Sequence, residues 1–182
     1  MQRTTLTLLL ILLLGLTLRT INIRHPLLDG ATTRQIQGAE AARNYYRNGN
    51  AFSLPQLDRF GPGKGYMALE FPIVPYTVGL IYRLLGGAHT WVYRLLTAIC
   101  STFSALVLFL LIRRTDDSTT GLFGALAYVM SPQEIYLGRS TQPESVMMLF
   151  SMLAPCSFYG GVREAACATS LLASLPSISP CS

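Results

Sequence analysis

Two stretches of this chain hold most of the side chains able to do acid–base or phosphate chemistry. The first, Arg24 to Glu70, carries Asp29, Arg34, Glu40, Arg43, Arg47, Asp58, Arg59, Lys64 and Glu70. The second is short, Ser131 to Glu144, and reads SPQEIYLGRSTQPE, with Arg139 and Glu144 at its chemical end. A carboxylate can take a proton from an incoming hydroxyl or amine, and a cation or a divalent metal ion can stabilise the charge of a departing phosphate. Asp29 and Glu144, joined by Glu70 and Arg139, are therefore the expected constellation. Asp29 has a second reading as a helix cap, because it stands just ahead of a run of helix formers, Ala31 to Asn48, where the helix dipole favours a carboxylate. Arg34 and Arg43 stay open between contacting a ligand phosphate and holding the loop's own acidic residues. His25 could touch a metal but is read as bland, as is His89.

The elements that position these groups belong to a membrane. Of 182 residues 51% are hydrophobic and 13% charged, against about 25% charged in an ordinary soluble domain. The net charge of +5 suits anionic headgroups or phosphate-bearing ligands. The basic residues are not clustered with exposed aromatics, so nucleic acid is not an expected partner. Cys100, Cys156, Cys167 and Cys181 show no metal-ligand spacing, and Cys100 reads as a small packed hydrophobe.

The expected class is all-α, a polytopic transmembrane helical protein with spans near 4–22, 91–112, 119–137 and 144–160. The first resembles a signal peptide's apolar core, but no small-x-small cleavage site follows Leu18, so an uncleaved anchor is expected, with Arg19 snorkelling to the headgroups. Arg3 before it argues for a cytoplasmic N-terminus, which makes residues 24–90 an extracytoplasmic loop. In that loop Thr32 or Thr33 caps the helix that Gly49 stops, and Gly61-Pro62-Gly63 marks a turn. Residues 72–87 are too short and too interrupted to cross, since a span needs about 20 residues, so they are expected to lie in the interface. Trp91 and Tyr93 are expected in the outer aromatic belt, Arg113-Arg114 on the inner side, and Thr115 to Ser118 as the next cap. This order brings Arg139, Gln142 and Glu144 to the membrane face that holds Asp29 and Glu70. Met147, Met148 and Met152 read as packing residues. From Ala154 helical periodicity fades, and residues 154–182 are expected to be an aberrant tail on a 1–153 module. Composition alone reaches no further than a polytopic membrane protein with an outer polar site.

A resemblance adds to this. A Leu-rich first span is followed by D-x4-R and A-x-x-A-R-x-Y (Asp29, Arg34, Ala39, Ala42, Arg43, Tyr45). Then come L-E-F-P (Leu69 to Pro72), R-L (Arg94, Leu95) and S-P-x-x-I-x-x-G-R-x-x-Q-P-E (Ser131 to Glu144). In that order the motifs resemble the GT-C glycosyltransferases. They are most similar to the bacterial family related to protein O-mannosyltransferases (glycosyltransferase family 39) and aminoarabinose transferases. The resemblance covers about Met1 to Met152. It implies a polyprenyl-phosphate-linked sugar donor, a lipid, glycan or protein acceptor, surrounding membrane lipids, and transfer with inversion at an extracytoplasmic site, in a bacterium at the inner membrane. It implies Asp29 as the base, Glu144 in place of an aspartate of relatives, and Arg139 and Arg34 on donor phosphate. Glu70 matches the acidic residue of an E-x-P-P motif that binds a divalent metal ion in some relatives. Here that motif reads Glu70-Phe71-Pro72-Ile73, without its usual lysine and second proline. Relatives are several hundred residues long, so an N-terminal fragment is expected. The alternative class is a small non-catalytic membrane transport or scaffold subunit, in which Arg139 pairs with Glu144 and Asp29 only caps.

Overall fold

In hydrocarbon no water satisfies a bare backbone, so a spanning segment closes its own hydrogen bonds as a helix. The protein follows that rule in a computed structural model, which describes residues 2–21, 23–24, 32–49, 51–58, 65–66 and 71–173, with Thr32 and residues 159–173 as backbone alone. The described residues form seven helices: α1 (Gln2–Thr20), α2 (Thr32–Asn48), α3 (Ile73–Leu85), α4 (Thr90–Thr115), α5 (Ser118–Met130), α6 (Pro132–Gly138) and α7 (Glu144–Ala173). Among them there is no strand, only an isolated bridge between Gln56 and Tyr66. This is an all-α membrane protein.

α1 and α4 are each long and apolar enough to cross a bilayer. The 26 residues of α4 rise about 39 Å at 1.5 Å per residue, more than the roughly 30 Å hydrocarbon core. α4 is the central element and packs against α1, α3, α5, α6 and α7. Asp117 caps α5 by accepting from the Thr119 and Thr120 amides, so the acidic turn works as expected. A single helix was expected over 119–137, but it breaks at Ser131, whose ψ of 122° is extended. Pro132 is the cause, because its ring disfavours helical geometry in the residue before it. α6 then starts afresh with proline at its first position, where a missing N–H costs nothing. α7 continues beyond the point where periodicity fades, with Pro155 inside it.

Two apolar clusters hold the helices together. Ile11, Ala105, Phe109, Ala125, Tyr128 and Val129 join α1, α4 and α5, with Met152 of α7 against them. Ala42, Val74, Val78, Tyr82, Val92 and Tyr93 join α2, α3 and α4. α3 is amphipathic: Val74, Val78 and Tyr82 are buried, whereas Ile73, Leu80, Leu84 and Leu85 are exposed. This amphipathic pattern is of the kind found in helices that lie along a membrane interface.

Two expectations are corrected. Arg19 does not snorkel; it is 0% exposed, because Ser101 and two backbone carbonyls give its guanidinium partners inside the bundle. Tyr93 does not join an aromatic belt; it is also 0% exposed, covered by α2 where Gly38 approaches its hydroxyl.

Candidate active site

The second chemical stretch folds into an elbow, Arg139 to Pro143, between α6 and α7. Arg139 caps α6, its amide bonding to the Leu137 and Tyr136 carbonyls. The elbow docks on α4 through hydroxyl-bearing residues one turn apart. Thr97 Oγ1 donates to the Ser140 carbonyl at 2.9 Å, and Ser101 lies against Gly138 one turn farther along. Tyr93, one turn the other way, points its hydroxyl at Gly38 of α2, where the elbow's Thr141 carbonyl also meets that helix. Positions i, i+4 and i+8 share one helix face, so Tyr93, Thr97 and Ser101 form a polar stripe on an otherwise apolar helix. Small and hydroxyl residues at such a seam let helix backbones approach and hydrogen-bond across it.

α2 brings the first chemical stretch to the same elbow. Thr141 Oγ1 donates to the Gln35 carbonyl at 2.7 Å, and Gln35 Nε2 donates to the Tyr136 hydroxyl at 3.1 Å. The approach is so close that a Cβ on Gly38 would stand 2.4 Å from the Thr141 carbonyl oxygen. No residue larger than glycine fits there without moving one of the two backbones. At the end of this contact Arg34 Nη1 meets Glu144 Oε1 at 2.9 Å, with side-chain exposures of 50% and 26%. The pair links the two stretches that the sequence separates by more than a hundred residues.

The carboxylate of Glu144 is used on one side only. Its Oε1 is held by Arg34, while Oε2 is buried and makes no hydrogen bond. Nearby polar atoms share that condition: Tyr93 OH, Gln142 Nε2 and Ser145 Oγ are buried without partners. Buried polar atoms are normally satisfied, and an unmet group costs about 1–3 kcal/mol. The α2–elbow junction thus holds acceptors and donors that the protein itself does not use.

Among the described residues, other groups of the first stretch pair with one another and with α3. Arg43 pairs with Asp58, so this arginine holds the loop's own acidic residue, whereas Arg34 reaches Glu144. Asn44 Nδ2 donates to Asp58 Oδ1 at 2.8 Å. That bond and the Arg43 guanidinium hold the Asp58 carboxyl below its ordinary range. Arg83 Nη2 donates to the Tyr45 carbonyl at 2.8 Å, and edge contacts Tyr45–Tyr76 and Phe52–Tyr76 fasten α3 and the following loop to α2.

The structure therefore brings Arg34 and Glu144 together, and Arg139 stands at the other end of the elbow, as the C-cap of α6. Asp29, Glu70 and His25 lie outside the described residues. Among the described residues no group of three or more His, Cys, Asp or Glu side chains is placed to hold a metal ion. Sequence reasoning missed Gly38, Thr97 and Ser101, and it assigned Arg19 and Tyr93 to the headgroup region. The available signal was the hydroxyl residues at helical spacing inside an apolar span, together with the arginine in another.

Comparison with known proteins bears on what this junction is for. Over 100 residues the chain is 24% identical to "Putative mannosyltransferase YkcB" of Bacillus subtilis (strain 168). That alignment covers 55% of this chain but 14% of the Bacillus protein, so the chain spans a small part of the relative's length. No solved structure matches it. The family model described as dolichyl-phosphate-mannose-protein mannosyltransferase matches residues 70–176, more than half of the chain and including α3 to α7. This chain belongs to the dolichyl-phosphate-mannose-protein mannosyltransferase family and is a GT-C glycosyltransferase-like membrane protein.

Proposed function

We propose that the α2–elbow junction is the acid–base and phosphate-binding part of a membrane glycosyltransferase that moves a sugar from a polyprenyl-phosphate carrier to an acceptor. Family membership and the mannosyltransferase name of the Bacillus relative make a mannose-class hexose the first sugar to test. The observation that carries the reading is Glu144: one carboxylate oxygen is fixed by Arg34 and the other is buried without a partner. That second oxygen is an acceptor for a hydroxyl of donor or acceptor. Asp29, which precedes α2 by three residues in the sequence, is the proposed base. It takes the proton of the acceptor hydroxyl or amine as the new bond forms at the anomeric carbon. The bond from that carbon to the phosphate oxygen breaks on the opposite face, its electron pair leaves with the polyprenyl phosphate, and configuration inverts. Arg139 and Arg34 stabilise the phosphate. Because phosphate leaves readily, no strong general acid is needed. Glu70 is the proposed contact of a divalent metal ion.

The carrier's chain needs an apolar, lipid-facing surface. Between α1 and α4, Leu12, Leu16, Ile99, Thr102, Phe103 and Leu106 leave a groove of about 200 Å³, and we assign the nearest isoprene units to it. The protein is proposed to be multi-pass, in a bacterial inner membrane, with α2, α3 and the elbow on the extracytoplasmic side.

The test is transfer from radiolabelled polyprenyl-phosphate mannose in membranes containing this chain, with Asp29→Asn and Glu144→Gln beside it. Transfer by the unmutated chain that is lost in both variants, at equal membrane insertion, is expected. No transfer by a properly inserted unmutated chain contradicts the activity and favours a non-catalytic subunit.

A further inference from the structure

Arg19 is the group in this bundle whose burial most requires a reason. It lies one residue before the end of α1, and a charged side chain within an apolar segment is costly unless it is paired or functional. Its Nε donates to Ser101 Oγ at 2.9 Å and its Nη1 to the Gly15 carbonyl at 3.0 Å, with the Val129 carbonyl 3.5 Å away. One guanidinium thus joins α1, α4 and α5. α6 is held by contact: a Cβ on Gly138 would stand 2.7 Å from Arg19 Nε and 3.1 Å from Ser101 Cβ.

Gly138 is the last residue of α6, and Arg139 follows it into the elbow. The next residue, Ser140, is bonded to Thr97 one turn along α4 from Ser101. We infer that Arg19 is a positioning residue. It sets the height and register of the α6–α7 elbow against α1 and α4, and through the elbow the placement of Arg139 and Glu144. A planar fork suits this role because it addresses two helices at once, whereas a lysine offers one point charge on a flexible stem. The consequence for transfer rests on the proposed function; the positioning itself does not.

The test uses the full chain with Cys100, Cys156, Cys167 and Cys181 replaced by alanine and a reporter thiol introduced as Ser140→Cys. Ser140 is buried, with its hydroxyl bonded to the Leu137 carbonyl at 2.9 Å. Arg19→Met is expected to speed thiol labelling about tenfold or more by letting the elbow open locally, while a Ser157→Cys reporter elsewhere is unchanged. Arg19→Lys gives an intermediate rate. Gly138→Ala reproduces the effect with Arg19 present and adds little to Arg19→Met. The milder two variants keep the test usable if Arg19→Met does not fold. In transfer assays Arg19→Lys raises KM for the lipid-linked sugar with acceptor KM unchanged. Unchanged labelling overturns the positioning role. Faster labelling with unchanged transfer kinetics overturns its link to the reaction. Absence of transfer in the unmutated chain overturns the proposed function instead, and the labelling result stands by itself.

Discussion

The bundle of α1, α4 and α5 and the unit formed by α2, α3 and the segment between them each have an apolar core, but they differ in the polar groups they bury and the groups they expose. In the bundle, Leu6, Leu9, Leu10, Leu13, Phe103, Leu110 and Phe123 are exposed, while Arg19, Thr97, Ser101 and Ser104 are buried. In the α2–α3 unit Ala41, Ala42, Tyr45, Val74 and Val78 are buried, and the Arg43–Asp58 pair lies toward solvent. Lipid tails are as apolar as leucine, so in the bundle burial of leucine contributes little and packing with interhelical hydrogen bonds holds the helices. Where water is the solvent, apolar area removed from it is the main favourable term. The elbow is where the two regimes meet, and it is fastened by both kinds of contact.

The comparison is broken most severely from inside the bundle. Arg19→Met removes the donor shared by Ser101 and the Val129 carbonyl, and a loss of about 3 kcal/mol is expected, the upper end for hydrogen bonds made by a charged group. Thermal unfolding in detergent measures it. Gly38→Ala is next: its Cβ would meet the Thr141 carbonyl, and overpacking of this kind costs about 1–3 kcal/mol. It should also impair transfer by separating α2 from the elbow. Thr141→Val removes the additional bond that the Gln35 carbonyl accepts beyond its place in the α2 ladder, at about 0.5–1.5 kcal/mol. The water-facing pair is the least important for stability. Asp58→Asn should cost about 0–1 kcal/mol because half-exposed ion pairs are screened. Its sign with pH follows from the lowered Asp58 value. The contribution is full above the ordinary carboxylate range near 3.9 and is lost as pH falls through the lowered value. Unfolding of parent and Asp58→Asn should therefore converge in strong acid.

How much of this was legible in the sequence follows the same division. α4 and α2 could be read because each carries a pattern a solvent imposes: a long apolar run in one, a bounded run of helix formers in the other. Asp117 could be read as a cap from local chemistry alone. The meeting of the Arg34 and Ser131–Glu144 stretches could be read as membrane sidedness, but not as contacts, because Gly38 against Thr141 depends on tertiary fit. Arg19 and Tyr93 were misplaced for one reason. Residue type suggested the headgroup region, and only the packed bundle provides partners or cover inside. Ser131–Pro132 carried a local break signal that the apolar pattern overrode.

The most direct test of the central claim is a charge exchange at the junction. Arg34→Glu, Glu144→Arg and the exchanged pair are each assayed for unfolding temperature and for transfer from polyprenyl-phosphate mannose. If Glu144 acts on the substrate, the exchanged pair recovers the stability lost by the single variants but not transfer. Recovery of transfer together with stability would contradict the account, reducing Glu144 to half of a structural clasp.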